Sequence, residues 1–176
     1  ARNRADIQAV DLHPSRLHFI EDGARRLGCR GISPRAWDMT LPPDFLEPAS
    51  LDGVLVDAPC SGLGVLRRNP EARWRLQEKD IAELADRQQK ILKQAGRLVR
   101  KGGRLVYSVC TLTPEETDRV IESFLAANPD FRRASLLALL PGNGSGLTDS
   151  EGCLRTWPHR QGMDGFFAVR LERTGS

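Results

Sequence analysis

Short strand-like apolar runs alternate with helical periods along this chain, and this alternation constrains its fold more than any other feature. The predicted strands cover residues 7–10, 32–37, 54–56, 104–109, 131–137 and 166–171. The predicted helices cover residues 14–27, 79–99 and 114–127. Such alternation is typical of an α/β layer fold with a mostly parallel sheet. The length of 176 residues suits one domain with a buried core, so we expect a single domain over residues 1–176.

Each predicted helix carries a recognisable boundary signal. Pro14 opens the first, whose apolar face is expected to comprise Leu17, Ile20, Ala24 and Leu27. Gly102 and Gly103 are expected to stop the second. The third follows Thr113, which forms a capping-box pattern with Glu116 and has Pro114 at the first helical position. We therefore expect that helix to begin at residue 114.

The composition is that of a cytosolic protein with reduced thiols. No apolar run approaches the roughly 18 residues that span a bilayer, and residues 1–6 contain no apolar signal segment. The four cysteines show no CxxC or other zinc-type spacing, so no metal site is predicted. Net charge is +3, carried mainly by arginine, which suits contact with phosphates. We expect a cytoplasmic monomer with no membrane contact.

Aspartates end the first two predicted strands, where open α/β sheets bind ligands. Asp11 has the position from which a carboxylate accepts hydrogen bonds from the ribose of a nucleotide-like cofactor, and Asp38 is placed to accept from an adenine amino group. The alternative is that each one caps the following helix or turn. No G-x-G-x-x-G loop precedes Asp11, so we expect the chain to begin after that element.

Two thiols follow the next two strands and form the expected chemical centre. Residues 57–62 (DAPCSG) place Asp57, Pro59 and Cys60 on a tight turn after a buried strand, and Cys110 follows the strand over 104–109. If those strands are neighbours, both thiols and Asp57 face one cleft. We expect the helix predicted from residue 114 to lower the pKa of Cys110 through its dipole. Cys29 and Cys153 are interpreted as small buried hydrophobic residues.

Two thiols and a carboxylate suit substitution at carbon 5 of a pyrimidine. A thiolate that adds to carbon 6 makes carbon 5 nucleophilic toward an electrophilic methyl group. A carboxylate at the exocyclic amine and ring nitrogen holds the base, and removal of the carbon 5 proton then releases the thiol. The spacing alone leaves open which cysteine attacks.

The motifs around these residues resemble those of the Nop/Sun (RsmB-like) family of S-adenosylmethionine-dependent RNA cytosine-5 methyltransferases. Residues 57–62 with the following GV and RRNP sequences are similar to the family's fourth motif. Residues 108–112 (SVCTL) with PEE at 114–116 resemble its sixth motif, and residues 164–167 (DGFF) resemble its C-terminal signature. The match runs from about Ile7 to Leu171.

The resemblance implies a Rossmann-like class I methyltransferase fold whose C-terminal strand is antiparallel. It implies that residues 1–176 are a catalytic domain lacking its first strand and glycine-rich loop. By the same resemblance, Cys110 attacks the base and Cys60 assists release of the product. Asp57 would lie between the cofactor and the base, with Pro59 against the base. S-adenosylmethionine would be held by Asp11, Asp38 and Asp57.

The chain departs from the family pattern in two places. Val109 stands where the family usually has threonine, which removes one hydroxyl next to Cys110. The glycine-rich first motif, which cradles the methionine end of the cofactor, is missing. We therefore expect this chain by itself to bind S-adenosylmethionine weakly or not at all.

An arginine cluster after the fourth motif is the expected RNA contact. Arg67 and Arg68 are assigned to the substrate, and Arg73, Arg75 and Trp74 follow within the same cluster. Beside a cytosine pocket such arginines would bind phosphates while Trp74 stacks on a base. The alternative is a solvated helix face with a partly buried tryptophan. The target cytosine is expected to be flipped or single-stranded.

Ribosomal RNA is the expected substrate, with transfer RNA as the alternative. A competing hypothesis is a non-catalytic RNA-binding or assembly module that keeps the methyltransferase fold. A third, a thiol redox or acyl-transfer enzyme, would need a histidine near a cysteine motif, and His13, His18 and His159 adjoin neither motif.

Overall fold

A computed structural model describes residues 3–140 and 146–175 of the chain. The chain divides into two compact units, Ala1–Pro43 and Asp44–Ser176. Within the described residues, no helix combines the length and hydropathy that a membrane span requires.

The first unit is a β–α–β arrangement. Strand β1 (Ile7–Asp11) and strand β2 (Ile32–Ala36) are parallel neighbours, and helix α1 (Pro14–Arg26) connects them. Pro14 starts α1 because its fixed φ suits the first helical turn. The three elements lie where the sequence predicts them. Leu27, expected on the apolar face of α1, lies beyond the end of the helix and is 66% exposed.

The second unit contains a five-stranded mixed sheet. Its strands are β3 (Leu51–Asp57), β4 (Val99–Val109), β5 (Phe131–Ala134), β6 (Leu154–Thr156) and β7 (Phe166–Arg173). The order is β3-β4-β7-β5, and β6 also pairs with β7. β3 is parallel to β4, whereas β7 is antiparallel to β4, β5 and β6. Four strands therefore run in one direction and only the C-terminal strand opposes them, which confirms the predicted mostly parallel α/β fold.

Two amphipathic helices cover one face of this sheet and form the core with it. They are α3 (Glu78–Leu98) and α4 (Asp118–Ala127); two further helices, α2 (Ala72–Arg75) and α5 (Pro158–Gln161), are single turns. Leu92 of α3 and Leu105 of β4 are fully buried, as is Ile121 of α4. Burial of one such side chain contributes about 1.5–3 kcal/mol. This packing fixes the carboxyl ends of β3 and β4, from which the site is built.

Three predicted boundaries in this unit are wrong. The capping box at residues 113–116 does not start a helix, because the side chain of Glu116 binds buried groups elsewhere in the unit and α4 begins only at Asp118. Gly102, with φ +73°, lies inside β4 rather than between a helix and a strand. The strand predicted over 131–137 ends at Ala134.

Candidate active site

The two motif cysteines meet at the carboxyl ends of neighbouring strands. Asp57, the last residue of β3, lies opposite Ser108 of β4, so the turns that follow the two strands leave the sheet together. The Sγ atoms of Cys60 and Cys110 are 3.1 Å apart, within hydrogen-bonding distance. The two thiols therefore lie together at neighbouring strand ends, as the sequence predicts.

The environment makes Cys110 the acidic member of the pair. A hydrogen bond from Cys60 is the largest cause that lowers the pKa of Cys110, from 9.0 to about 7, against the opposing effects of burial and of the negative charges of Asp57 and Glu116. The pKa of Cys60 is raised, first by its hydrogen bond to Cys110 and then by burial. Cys60 thus keeps its proton and donates it toward a Cys110 thiolate. The cause differs from the sequence prediction, which invoked a helix that begins only at Asp118.

Asp57, at the end of β3, and Pro59, in the turn that follows β3, are both exposed. Asp57 accepts a hydrogen bond from the Ser108 hydroxyl at 3.3 Å. The carbonyl of Pro59 accepts a hydrogen bond from Gln88 Nε2 at 2.9 Å, which ties the turn to helix α3. The Asp57 carboxylate therefore points where a ligand can reach it, as the sequence predicts for a group that contacts cofactor or base.

A buried carboxylate lies beneath the thiols. Glu116 is fully buried, and its side chain accepts hydrogen bonds from the Ser61 amide and hydroxyl, from Gln88 and from Thr113. The sequence predicted Glu116 only as a helix-capping residue. The one sequence signal for this role is that Glu116 follows Cys110 closely. The hydrogen-bond partners of Glu116 are known only from the structure.

Two glycines bring the C-terminal signature against the thiol turns. Gly64 N donates to the Cys110 carbonyl at 3.0 Å, and Gly165 N donates to the Gly64 carbonyl at 2.8 Å. A Cβ atom on Gly64 would lie 2.0 Å from the Gly165 carbonyl oxygen, so no side chain fits. The segments identified as fourth motif, sixth motif and C-terminal signature therefore converge at Gly64.

The predicted RNA-contacting arginines form ion pairs with the same signature. Arg67 Nη2 and Arg68 Nε lie 3.2 and 2.6 Å from the two carboxylate oxygens of Asp164, whose side chain is 10% exposed. Both guanidinium groups remain exposed, so Asp164 orients them without enclosing them. Trp74 is 83% exposed beside Arg73, which contradicts the alternative of a partly buried tryptophan.

In the first unit, Asp11 and Asp38 follow the neighbouring parallel strands β1 and β2. Asp11 Oδ1 accepts from the His13 amide at 2.8 Å, next to the start of α1. Asp38 Oδ1 accepts from the amide and hydroxyl of Thr40 at 2.9 and 2.8 Å. Both aspartates thus perform the local turn or capping role that the sequence left open, and cofactor contact stays a prediction.

The remaining cysteines differ from each other. Cys153 is buried as predicted, and burial raises its pKa to about 11. Cys29 is exposed, so its interpretation as a buried hydrophobic residue is wrong. It follows Gly28, whose φ of +64° turns the chain after α1 ends.

Comparison with known proteins identifies the family. Residues 1–172 match the family of 16S rRNA methyltransferase RsmB/F. The chain belongs to this family. The match covers both units and all three motifs, so it confirms the resemblance drawn from the two cysteine motifs and the C-terminal signature.

Curated RsmB/F relatives are similar along the whole chain. A probable ribosomal RNA small subunit methyltransferase B of Bacillus subtilis is 38% identical over 175 residues, covering 99% of this chain and 39% of that protein. The ribosomal RNA small subunit methyltransferase B of Thermus thermophilus is 37% identical over 179 residues, covering 100% and 42%. The chain thus spans about two fifths of the length of these relatives.

Solved structures show the same fold. The crystal structure of PH0851 has a TM-score of 0.87 at 36% identity, covering 97% of this chain and 38% of that one. NSun6 from Pyrococcus horikoshii, solved with SFG, has a TM-score of 0.81 at 28% identity, covering 99% and 43%. A SAM-dependent methyltransferase from Aquifex aeolicus shares the fold alone, at 11% identity and a TM-score of 0.52. The Rossmann-like methyltransferase fold is therefore confirmed.

S-adenosylmethionine is the cofactor of this methyltransferase fold, and the carboxylates of this RsmB/F chain fit it chemically. Asp11 and Asp38 place acceptor oxygens after two parallel strands, where acceptors for ribose hydroxyls and an amino group belong. In the second unit, Asp57 is an exposed carboxylate at the end of a parallel strand, and its contact with the cofactor stays a prediction.

Proposed function

We propose that this chain is the catalytic part of an RNA cytosine-5 methyltransferase that acts on ribosomal RNA through a covalent Cys110 adduct. The observation that carries the proposal is the pair of sulfur atoms 3.1 Å apart, in which the pKa of Cys110 is lowered to about 7. The names of the relatives, ribosomal RNA small subunit methyltransferase B, support the substrate class.

Cys110 supplies the nucleophile in the first step. A pKa of about 7 leaves a large thiolate fraction at neutral pH without a histidine as base. The sulfur adds to carbon 6 of cytosine, and the electron pair of the 5,6 double bond moves so that carbon 5 becomes nucleophilic. Bound S-adenosylmethionine supplies the electrophilic methyl group that carbon 5 takes.

Asp57 orients the base for this attack. Its exposed carboxylate follows the strand that carries the turn to Cys60, and hydrogen-bond acceptance from Ser108 leaves acceptor capacity for an exocyclic amine. A carboxylate there accepts hydrogen bonds from the exocyclic amine and from a proton on the ring nitrogen, and so keeps that nitrogen protonated while the ring takes up the electron pair displaced by the attack on carbon 6. Pro59, rigid and exposed on the same turn, provides an apolar surface for the ring.

Cys60 acts in product release. Its pKa is raised first by its hydrogen bond to Cys110, then by burial and then by the charge of Cys110. The first and third causes end once the Cys110 sulfur is bonded to carbon 6, so the pKa of Cys60 falls, and Cys60 can lose its proton to solvent and take the proton from carbon 5. The electrons of that C–H bond re-form the double bond, and the bond between Cys110 sulfur and carbon 6 breaks.

The test uses the natural full-length protein and ribosomal RNA containing 5-fluorocytosine, in which carbon 5 carries no removable proton. We expect a covalent RNA–protein complex that survives denaturing gels. Cys110→Ala should abolish it, and on unmodified RNA Cys60→Ala should accumulate a covalent complex. Cys29→Ala, at the exposed cysteine, is the matched control.

Full methylation by Cys110→Ala would overturn the assignment of the nucleophile. RNA binding without methylation or adduct would instead favour the non-catalytic module. Methylation confined to transfer RNA would replace the substrate and leave the thiol chemistry intact.

A further inference from the structure

Glu116 is an unusual group to find in a protein core. It is fully buried, and among the described residues no lysine or arginine forms an ion pair with it. A carboxylate without a cation is tolerated in a core only when hydrogen bonds replace its lost hydration. Its surroundings must therefore supply several donors, and the identity of those donors shows what the residue connects.

The donors come from three separate segments. Ser61 N and Gln88 Nε2 bind Oε1, at 2.8 and 2.9 Å. The hydroxyls of Ser61 and Thr113 bind Oε2. Because a carboxylate only accepts, the Ser61 hydroxyl donates to Glu116, and it is therefore Thr111 that donates across the 3.0 Å contact between the two hydroxyls.

These segments are the supports of the two thiols. Ser61 follows Cys60 directly, Thr111 follows Cys110 directly, and Gln88 of α3 also binds the carbonyl of Pro59. Short hydrogen-bonded connections therefore link the Glu116 carboxylate to the residue that follows each cysteine. Movement of one turn relative to the other would break bonds to Glu116.

We propose that Glu116 is a positioning residue that holds the Cys60 thiol against Cys110 by fastening both turns to one buried carboxylate. This inference rests on the proposed function for its significance in catalysis. The geometry of the thiol pair that it predicts can be measured without RNA or cofactor.

The charge of Glu116 and the hydrogen bonds that it accepts have opposite effects on the pKa of Cys110. Among the described residues, the charged or titratable groups that face Cys110 are Asp57 at the end of β3, Cys60 in the turn that follows it, and Glu116 in the segment after β4; Gln88, from α3, is neutral. The negative charges of Asp57 and Glu116 raise the pKa of Cys110, whereas the hydrogen bond from Cys60 lowers it. Loss of the Glu116 charge should therefore lower the pKa of Cys110, whereas loss of the hydrogen bonds that hold the two turns together should raise it.

Two substitutions separate these effects. Glu116→Gln keeps one carbonyl oxygen for Ser61 N and Gln88, while its NH2 group faces two hydroxyls that can rotate to accept, so the turns stay fastened and the charge is lost. Glu116→Ala removes both the charge and the hydrogen bonds that hold the turns. Iodoacetamide labelling of the 176-residue chain against pH, read at the Cys110 peptide by mass spectrometry, reports the thiolate fraction.

We expect Glu116→Gln to shift the midpoint of Cys110 labelling down by about half a pH unit. Glu116→Ala should move it up toward the unperturbed value of 9.0, so that labelling at pH 7 slows by roughly tenfold or more. Glu115→Gln is the matched control, because it removes the same charge from a neighbouring exposed ion pair with Arg119; its profile should equal that of the wild type.

The proposal is overturned if folded Glu116→Ala, judged by circular dichroism, keeps the wild-type labelling profile, or if both Glu116 variants shift the midpoint in the same direction. If Glu116→Ala does not fold, Ser61→Ala decides. That variant removes one donor and the link to Thr111, and it should raise the midpoint by part of the same amount; an unchanged midpoint overturns the proposal. Loss of methylation by the full-length protein bears on the proposed function alone.

Discussion

The sulfur atoms of Cys60 and Cys110 lie 3.1 Å apart at the ends of two hydrogen-bonded parallel strands. At this distance two thiols do not ionise independently, because the first thiolate is stabilised by the remaining S–H group and repels a second charge. The less buried thiol, Cys110, takes the charge. The neighbouring strands β3 and β4 thus place an acidic nucleophile next to a thiol that keeps its proton at neutral pH.

Removal of Cys60 should therefore make Cys110 less acidic. In Cys60→Ala the hydrogen bond that is the largest cause of the lowered pKa is absent, so we expect the pKa of Cys110 to rise from about 7 toward 9.0. Labelling of Cys110 by iodoacetamide at pH 7 should slow by roughly tenfold or more. Cys60→Ser keeps an O–H donor and should show an intermediate rate, and equal rates in all three proteins would contradict the assignment.

Stability should rise with pH between about 7 and 8.5. The folded-state pKa of Cys110 is depressed from 9.0 to about 7, so its contribution is fully present above the unfolded value and is lost as pH falls through 7. Above about pH 8.5 the sign reverses, because the raised pKa values of Cys60 and Cys153 keep these thiols neutral in the folded state while they ionise in the unfolded chain.

Melting temperature measured against pH checks this prediction. Cys110→Ser should remove the rise between pH 7 and 8.5 and leave the part of the decline at higher pH that comes from Cys153 and from the burial of Cys60. A rise of the same size in Cys110→Ser would show that another group is responsible.

The sequence identified the thiol centre because strand periodicity and the turn residues after each strand are local signals. It placed Asp57, Cys60 and Cys110 correctly at neighbouring strand ends. The prediction for Glu116 was wrong, since a capping box and a buried acceptor have the same local spacing and only Ser61 and Gln88, distant in sequence, distinguish them.

The close approach of two backbone segments at Gly64 also could not be predicted from the sequence. Gly64 stood in a motif, but the need for glycine arises from Gly165, about a hundred residues away along the chain, whose carbonyl oxygen occupies the space of a side chain. The sign of a pKa shift likewise depends on which groups the fold brings together. The helix invoked for Cys110 begins too late, and Cys60 provides the effect instead.

Gly64→Ala should disrupt the site. Its Cβ would lie 2.0 Å from the Gly165 carbonyl oxygen and 2.9 Å from that of Cys110, so backbone segments must separate. Such overpacking typically costs about 1–3 kcal/mol, and more where backbone must move. We expect a lower melting temperature and slower Cys110 labelling. Gly53→Ala in β3 is the control, because its Cβ would meet only one atom, at 3.7 Å; equal effects from both variants would contradict the prediction.

Arg67 and Arg68 should contribute to RNA affinity by binding phosphates in an orientation set by Asp164. In the full-length protein, Arg67→Ala should weaken RNA binding, and the slope of log affinity against log salt should fall by about 1 for each phosphate that the variant no longer binds. Arg87→Ala, at an exposed position of α3, controls for the removal of one positive charge. An identical salt slope in the Arg67 variant and wild type would exclude Arg67 as a phosphate-binding residue.

Asp11 should have two separable roles, one in the turn before α1 and one toward the cofactor. Asp11→Asn keeps an oxygen for the His13 amide, which Oδ1 now binds at 2.8 Å, but it removes the charge that suits ribose hydroxyls. We expect Asp11→Asn to retain the helical signal in circular dichroism while the full-length protein binds S-adenosylmethionine roughly tenfold more weakly by calorimetry, as removal of one charge-assisted hydrogen bond implies. Asp11→Ala should lose both part of the helical signal and the affinity for S-adenosylmethionine. Wild-type affinity in Asp11→Asn would mean that this carboxylate serves only the turn into α1.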